Sequence, residues 1–178
     1  MPLPKQQTYT IDYIYSLPDG QRAELIDGVI YDMSPPSVRH QKISRSLCAI
    51  IYNYIKSKHG SCEVLPAPFA VFLNADDKTY VEPDISVICD KNKLNDKGCN
   101  GAPDWIIEIV SPSSKSMDYF TKLFKYRAAG VREYWIVDPL KNRIMVYNFK
   151  TDDTETYTFA DCIKVGIYED FEIDFSNL

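Results

Sequence analysis

Pro103-Asp104-Trp105-Ile106-Ile107-Glu108-Ile109-Val110 is apolar on both faces after Asp104, with the carboxylate of Glu108 set into it. A run of this kind marks a central strand covered above and below. Strand alternation points Ile106, Glu108 and Val110 to one side, and Trp105, Ile107 and Ile109 to the other. An ionised carboxylate inside such a core is costly unless it is paired or bound to a cation. Upstream, Val81-Glu82-Pro83-Asp84-Ile85-Ser86-Val87-Ile88 repeats the pattern, with Asp84 sharing a face with Ser86 and Ile88. If the two runs pair, Asp84 and Glu108 converge on one point of the sheet.

The flanking sequence supplies the rest of the architecture. Ser111-Pro112-Ser113-Ser114 turns the chain into a helix over about 115–129, and Gly130 ends it. Strands are predicted at Glu133–Val137 and Arg143–Phe149, turning at Asp138-Pro139. Toward the N-terminus, strand-like runs cover Ser61–Leu65, Phe69–Leu73 and Thr79–Cys89. The Lys/Asn/Asp/Gly-rich 90–102 reads as an exposed loop. Ile43, Leu47, Ile50, Ile51, Tyr54 and Ile55 recur at helical spacing, behind a cap at Ser37 and before Gly60. Asp27-Gly28 marks a hairpin turn within 22–33, because Gly reaches positive φ at no steric cost. A short helix begins after Thr10 and stops before Pro18, and the C-terminal remainder adds edge strands. The expectation is an α/β (α+β, mixed-sheet) fold with helices packed on the sheet, in a single domain over 1–178.

The 178 residues, 45% hydrophobic and 25% charged, suit a soluble protein with a proper core. No apolar run reaches the ~18 residues of a membrane span, and Met1–Gln6 lacks a signal-peptide stretch, so the cytoplasm is the expected compartment. The five cysteines have no CxxC spacing and read as free thiols. The net charge of −5 disfavours a polyanion partner, but it is unevenly spread. Residues 151–178 carry eight acids and one base, whereas no acid occurs between Met33 and Cys62. The basic helix there, with Arg39, His40, Lys42 and Arg45, is a candidate nucleic-acid contact or an ordinary solvated face.

An Asp and a Glu converging in a core suit Mg²⁺, with Mn²⁺ as a substitute, because Mg²⁺ keeps several waters and needs few protein ligands. Such a centre activates water against a phosphodiester. GxxxxGK[ST], GxGxxG, HExxH and GxSxG are all absent, and two histidines do not make a His-rich zinc site. No small-molecule cofactor is expected.

Five motifs carry a resemblance. They are Glu24-Leu25-Ile26-Asp27-Gly28, Pro83-Asp84, Glu108-Ile109-Val110-Ser111-Pro112-Ser113, Asp118 with Lys122-Leu123 and Tyr126, and Gly130 through Pro139. Together, over about residues 9–149, they resemble the bacterial family of putative restriction endonucleases in the PD-(D/E)XK superfamily. The resemblance implies a restriction endonuclease-like core and a Mg²⁺-dependent nuclease with DNA as substrate. Asp84 and Glu108 would then hold the metal and Glu24 would complete the acidic cluster. The superfamily's lysine, two residues after the Glu, is replaced here by Val110, which cannot donate to water or phosphate. The family carries its lysine on the next helix, which makes Lys122 the substitute. Lys125 and Lys115 flank it and are candidates for phosphate.

Each residue also has a plainer assignment. Lys122 can be a surface lysine paired with Asp118 at i,i+4, Glu24 a solvent-facing strand residue, Asp84 a turn cap and Glu108 half of a structural ion pair. The functional competitor is an inactive nucleic-acid-binding or assembly module on the same fold. The 13 Tyr, 8 Phe and 2 Trp fit either a core or a homodimer interface, and cleavage of a palindrome favours a symmetric pair.

Overall fold

The computed structural model describes residues 7–74 and 76–178. The expectation about a leader at Met1–Gln6 falls outside them. No helix among the described residues is long and apolar enough to cross a membrane.

Two six-stranded sheets organise the chain. The larger runs β12 (Asp153–Tyr157), β11 (Arg143–Asn148), β10 (Glu133–Asp138), β9 (Trp105–Ile109), β6 (Ile85–Ile88), β3 (Glu63–Pro66). It is mixed: β9 is parallel to β10 and antiparallel to β6. The parallel pair is joined through α3 (Leu123–Ala129), the crossover that parallel strands require. The smaller sheet runs β2 (Val29–Asp32), β1 (Ala23–Ile26), β5 (Tyr80–Val81), β4 (Val71–Phe72), β8 (Gly98–Asn100), β7 (Leu94–Asn95). β13 (Cys162–Lys164) and β14 (Glu172–Asp174) form a separate pair. A short α1 (Ile11–Tyr15) precedes β1.

The large sheet separates two apolar layers. On one face lie α2 (Val38–Ser57) and the β13/β14 pair. There Ile43, Leu47, Ile51 and Ile55 pack with Val87, Trp105, Ile107, Ile109 and Trp135. On the other face α3 and the small sheet cover Ile106, Val110, Tyr134 and Ile136. Both faces of β9 are therefore dry, as its sequence demands. The exposed outer strand β12 carries Asp153 and Glu155, charges that discourage edge-to-edge pairing.

The structure corrects three local expectations. The run Thr79–Cys89 is not one strand: β5 belongs to the small sheet and β6 to the large one, with Glu82-Pro83-Asp84 as the corner between them. Proline has no N–H for a ladder, which suits a position where pairing stops. The loop 90–102 contains β7 and β8. Cys62 and Cys89 form a disulfide rather than idle thiols. They flank the Glu63↔Ile88 pair of β3 and β6, a neighbourhood that spacing along the chain does not display.

The second helix departs from ideal geometry. Met117–Lys122 is wound as a π-helix before continuing into α3. Such segments are rare and favour functional sites. At the start of α2, Ser37 accepts a bond from the His40 backbone N–H, as the cap signal predicts. Ser37→Ala is expected to cost about 1 kcal/mol, or roughly 2–4 °C in Tm at this chain length. Differential scanning calorimetry checks it, and an unchanged Tm would show that this cap contributes nothing.

Candidate active site

The corner at Pro83 places the site. Extending the β6/β9 register by one residue beyond Ile85↔Ile107 sets Asp84 opposite Glu108. The two are joined through the backbone: Asp84 N–H donates to Glu108 Oε2 at 3.3 Å, and Ile109 N–H donates to Asp84 Oδ2 at 2.7 Å. Convergence of these two carboxylates follows from strand alternation and pairing alone.

Four other elements close on this pair. The π-helical turn delivers Lys122, whose ammonium lies 2.9 Å from Glu108 Oε1 and 2.9 Å from Glu24 Oε2. Glu24 comes from β1, and its Oε1 also accepts from the Glu82 backbone N–H at 2.9 Å. Tyr126 of α3 donates to Glu108 Oε1 at 2.7 Å. Asp118 Oδ2 accepts from Ser114 Oγ at 2.6 Å, and its Oδ1 lies 3.8 Å from the Lys122 ammonium, too far for a hydrogen bond. From the other face, α2 brings His40, whose Nε2 is 3.1 Å from Asp84 Oδ2.

Asp84, Glu108, Lys122 and Glu24 are thus brought together, and Lys122 is no surface residue. Its side chain is 6% exposed, Glu108's is 5% and Glu24's is 6%. Two expected placements change. Glu24 is not a free third carboxylate beside Asp84, since both of its oxygens are engaged by Lys122 and the Glu82 amide. Among the described residues no group of three or more His, Cys, Asp or Glu is arranged to hold a metal. Lys125 pairs with Asp27 at the β1–β2 turn instead of standing free for phosphate. Arg39, Lys42 and Arg45 do lie exposed on α2, and His40 is buried against Asp84. Asp118, 1% exposed, was visible in the sequence as part of the family motif with Lys122 and Tyr126 and as the i,i+4 partner of Lys122, a spacing that also suits an ordinary surface pair.

The electrostatics follow from burial. Glu24, Asp84, Glu108 and Asp118 face one ammonium, an excess of negative charge in a largely dry pocket. Burial pushes the Glu108 carboxyl well above the usual range, although the Lys122 charge opposes it. Burial likewise pushes Asp118 up to about 6, again against Lys122. For Lys122, burial alone would lower the pKa, but the carboxylates of Glu108, Glu24 and Asp118 outweigh it and hold the ammonium well above its ordinary value. Burial also works against protonation of His40, yet its hydrogen bond and charge contact with Asp84 raise it.

A divalent cation fits the Asp84–Glu108 half of the cluster. Asp84 is the most accessible of the four acids, with a side chain 19% exposed, and its Oδ1 carries no hydrogen bond from a described residue. Glu108 Oε2 has only the long contact to the Asp84 amide. These two oxygens, one of them on the partly exposed Asp84, would hold Mg²⁺, which takes few protein ligands and completes its shell with water.

Comparisons with known proteins agree with this fold. A crystal structure from Anabaena variabilis ATCC 29413, titled a putative nuclease belonging to DUF820, superposes with a TM-score of 0.77. The alignment covers 94% of this chain and 96% of that one, at 20% identity, and so establishes the shared fold. The uncharacterized protein slr1290 of Synechocystis sp. is 28% identical over 134 residues, which is 75% of this chain and 68% of that protein. A family model described as a putative restriction endonuclease matches residues 10–164, which takes in every residue of the cluster. The chain belongs to this family, Uma2.

Proposed function

We propose that this chain is a Mg²⁺-dependent endonuclease that hydrolyses phosphodiester bonds, with DNA as its substrate. The observation that supports this most directly is the buried Lys122 ammonium, 2.9 Å from a Glu108 carboxylate that itself sits against Asp84. Asp84 and Glu108 would hold the metal, which supplies Lewis-acid charge and a more acidic water when bound. Glu24 and Tyr126 act on position: Glu24 fixes the ammonium and Tyr126 fixes the Glu108 oxygen. The ammonium has three N–H groups, and two carboxylates lie within bonding distance. The two Glu24 oxygens, at 2.9 and 3.0 Å, can share one of these donors, which would free another for a phosphate oxygen or the attacking water. His40 orients Asp84 from the opposite side. Val110, 2% exposed in the apolar layer, leaves these tasks to Lys122.

The charge distribution supports a polyanionic substrate despite the acidic total. Arg39 stands in the first turn of α2, where no acidic residue is present. A cation there opposes the helix dipole, so its presence is unexplained by helix stability. Asp170 of the acidic C-terminal region engages Tyr54 and Lys58 near the far end of the same helix. With ~1.5 Å rise per residue, the two regions are separated by most of the helix.

Metal binding should stabilise the fold. Mg²⁺ or Mn²⁺ at ten times its Kd adds about 1.4 kcal/mol, or roughly 3–6 °C in Tm. Melting curves with EDTA and with millimolar metal test this, together with cleavage of a circular DNA. An unmoved Tm and intact DNA would remove the reading in favour of a binding module. The acidic net charge of −5 and Val110 in the place of the superfamily's lysine are what favour that alternative.

A further inference from the structure

A groove with a volume of about 450 Å³ opens directly beside the acid cluster, with Asp84 and His40 at one end. It runs along the outer side of α2, past Arg45, Ala49, Tyr52 and Asn53, and is walled opposite by Val64 and Pro66. Its volume falls within the ~300–1,000 Å³ of small-molecule sites. That accommodates a nucleotide but not a double helix, whose stacked base pairs present only their edges in the grooves. The lining also has the character of a base site. Tyr52 offers a half-exposed ring, Asn53 offers both a donor and an acceptor, and Pro66 and Val64 are apolar. A phosphate path accompanies it, with Arg45 on the rim and the Lys56 ammonium 5.4 Å over the Tyr52 ring. Apart from Asp84 and His40 at its end, none of these lining residues belongs to the acid cluster or to its supports.

We propose that this groove is a subsite for an unpaired nucleotide next to the scissile phosphate, with its base against Tyr52. The chain then acts on single-stranded or locally opened nucleic acid in preference to closed duplex. This rests on the nuclease reading above for the position of the scissile phosphate. A base must leave the stack to enter a cavity of this kind, and that cost is least where the strand is already unpaired.

The test is a binding assay that needs no turnover. A 12-nucleotide single strand carrying 2-aminopurine and the same sequence as a closed duplex are titrated with the full chain, with and without Mg²⁺. The expected result is single-strand binding at least about fivefold tighter than duplex, the lower end of what one stacked base contributes. The 2-aminopurine emission should change on binding. Ala49→Phe, which fills the groove, and Tyr52→Ala should each weaken single-strand binding at least about fivefold, whereas Tyr52→Phe retains it. Circular dichroism melting verifies each variant. If Ala49→Phe does not fold, Tyr52→Ala at its half-exposed site carries the test. Equal affinity of the folded variants and wild type, a preference for closed duplex, or no oligonucleotide binding at all overturns the proposal. Failure of the nuclease reading shows separately, as absent cleavage and an unmoved metal-dependent Tm with the groove binding intact.

Discussion

Lys122→Met is expected to destabilise the metal-free protein by about 3–5 kcal/mol, the usual cost of stripping one partner from a buried ion pair. Total stability of a domain is only ~5–15 kcal/mol, so the variant should sit near the edge of unfolding. The reason is local. Lys122 is the cation within 4 Å of Glu24, Glu108 and Asp118, and all four side chains are almost wholly buried. Methionine preserves much of the volume but leaves the carboxylates to repel one another in a dry pocket. Two further results separate this account from a general packing defect. Combining Lys122→Met with Glu108→Gln should recover a large part of the loss, because the pair is coupled rather than additive. Millimolar Mn²⁺ should recover part of it too, since a bound cation replaces the missing positive charge. Urea denaturation measures all of these. A loss below about 1 kcal/mol would place Lys122 among ordinary surface pairs and would remove the central support of the site.

How much of this was legible beforehand depends on the range of the interaction concerned. The dry faces of β9, the Asp27-Gly28 turn and the Ser37 cap are short-range patterns, and each appears where the sequence predicts it. Both residues of that turn have positive φ, 52° at Asp27 and 78° at Gly28. The meeting of Asp84 and Glu108 was legible at one remove, through alternation plus an assumed pairing. The placement of Lys122 against Glu108 needed a resemblance, since no local pattern says where a helix packs. What could not be seen was how partners are shared. Glu24 is drawn to Lys122 rather than to Asp84, Lys125 to Asp27, and His40 through the end of the sheet to Asp84. Each of these contacts joins separate elements, and a charge in sequence does not name its counterion. The corner at Pro83 was concealed for a related reason. Thr79–Cys89 is β-like throughout, and only competition between two sheets splits it. That split also matters for chemistry, because a straight strand would carry Asp84 into the core instead of leaving it at the edge beside the α2 groove.

Glu108→Gln should separate stability from activity, and in doing so distinguish a catalytic centre from a structural ion pair. The glutamine amide oxygen can still accept from Lys122 and Tyr126, which now reach Glu108 Oε1 at 2.9 and 2.7 Å. The substitution also removes a charge that burial already disfavours and that adds to the repulsion among Glu24, Asp84 and Asp118. The metal-free fold is therefore expected to be about as stable as wild type, because Lys122 keeps the Glu24 and Asp118 carboxylates as partners while the cluster loses part of its excess of like charge. The metal site fares differently, because a neutral amide is a weaker partner for Mg²⁺ than a carboxylate and one of its two proposed protein ligands is lost. Cleavage should fall by at least about 10²–10³-fold, the scale on which loss of one charge-stabilising group acts. The metal-dependent rise in Tm should shrink or vanish with it. Asp84→Asn provides the parallel case from the exposed side of the pair. It should abolish the metal shift as well, while the Lys122 contacts to Glu24 and Glu108 stay in place. The opposite pattern for Glu108→Gln, a marked loss of stability with cleavage and metal response unchanged, would mean that the acids and the ammonium exist only to hold the two sheets together at their corner.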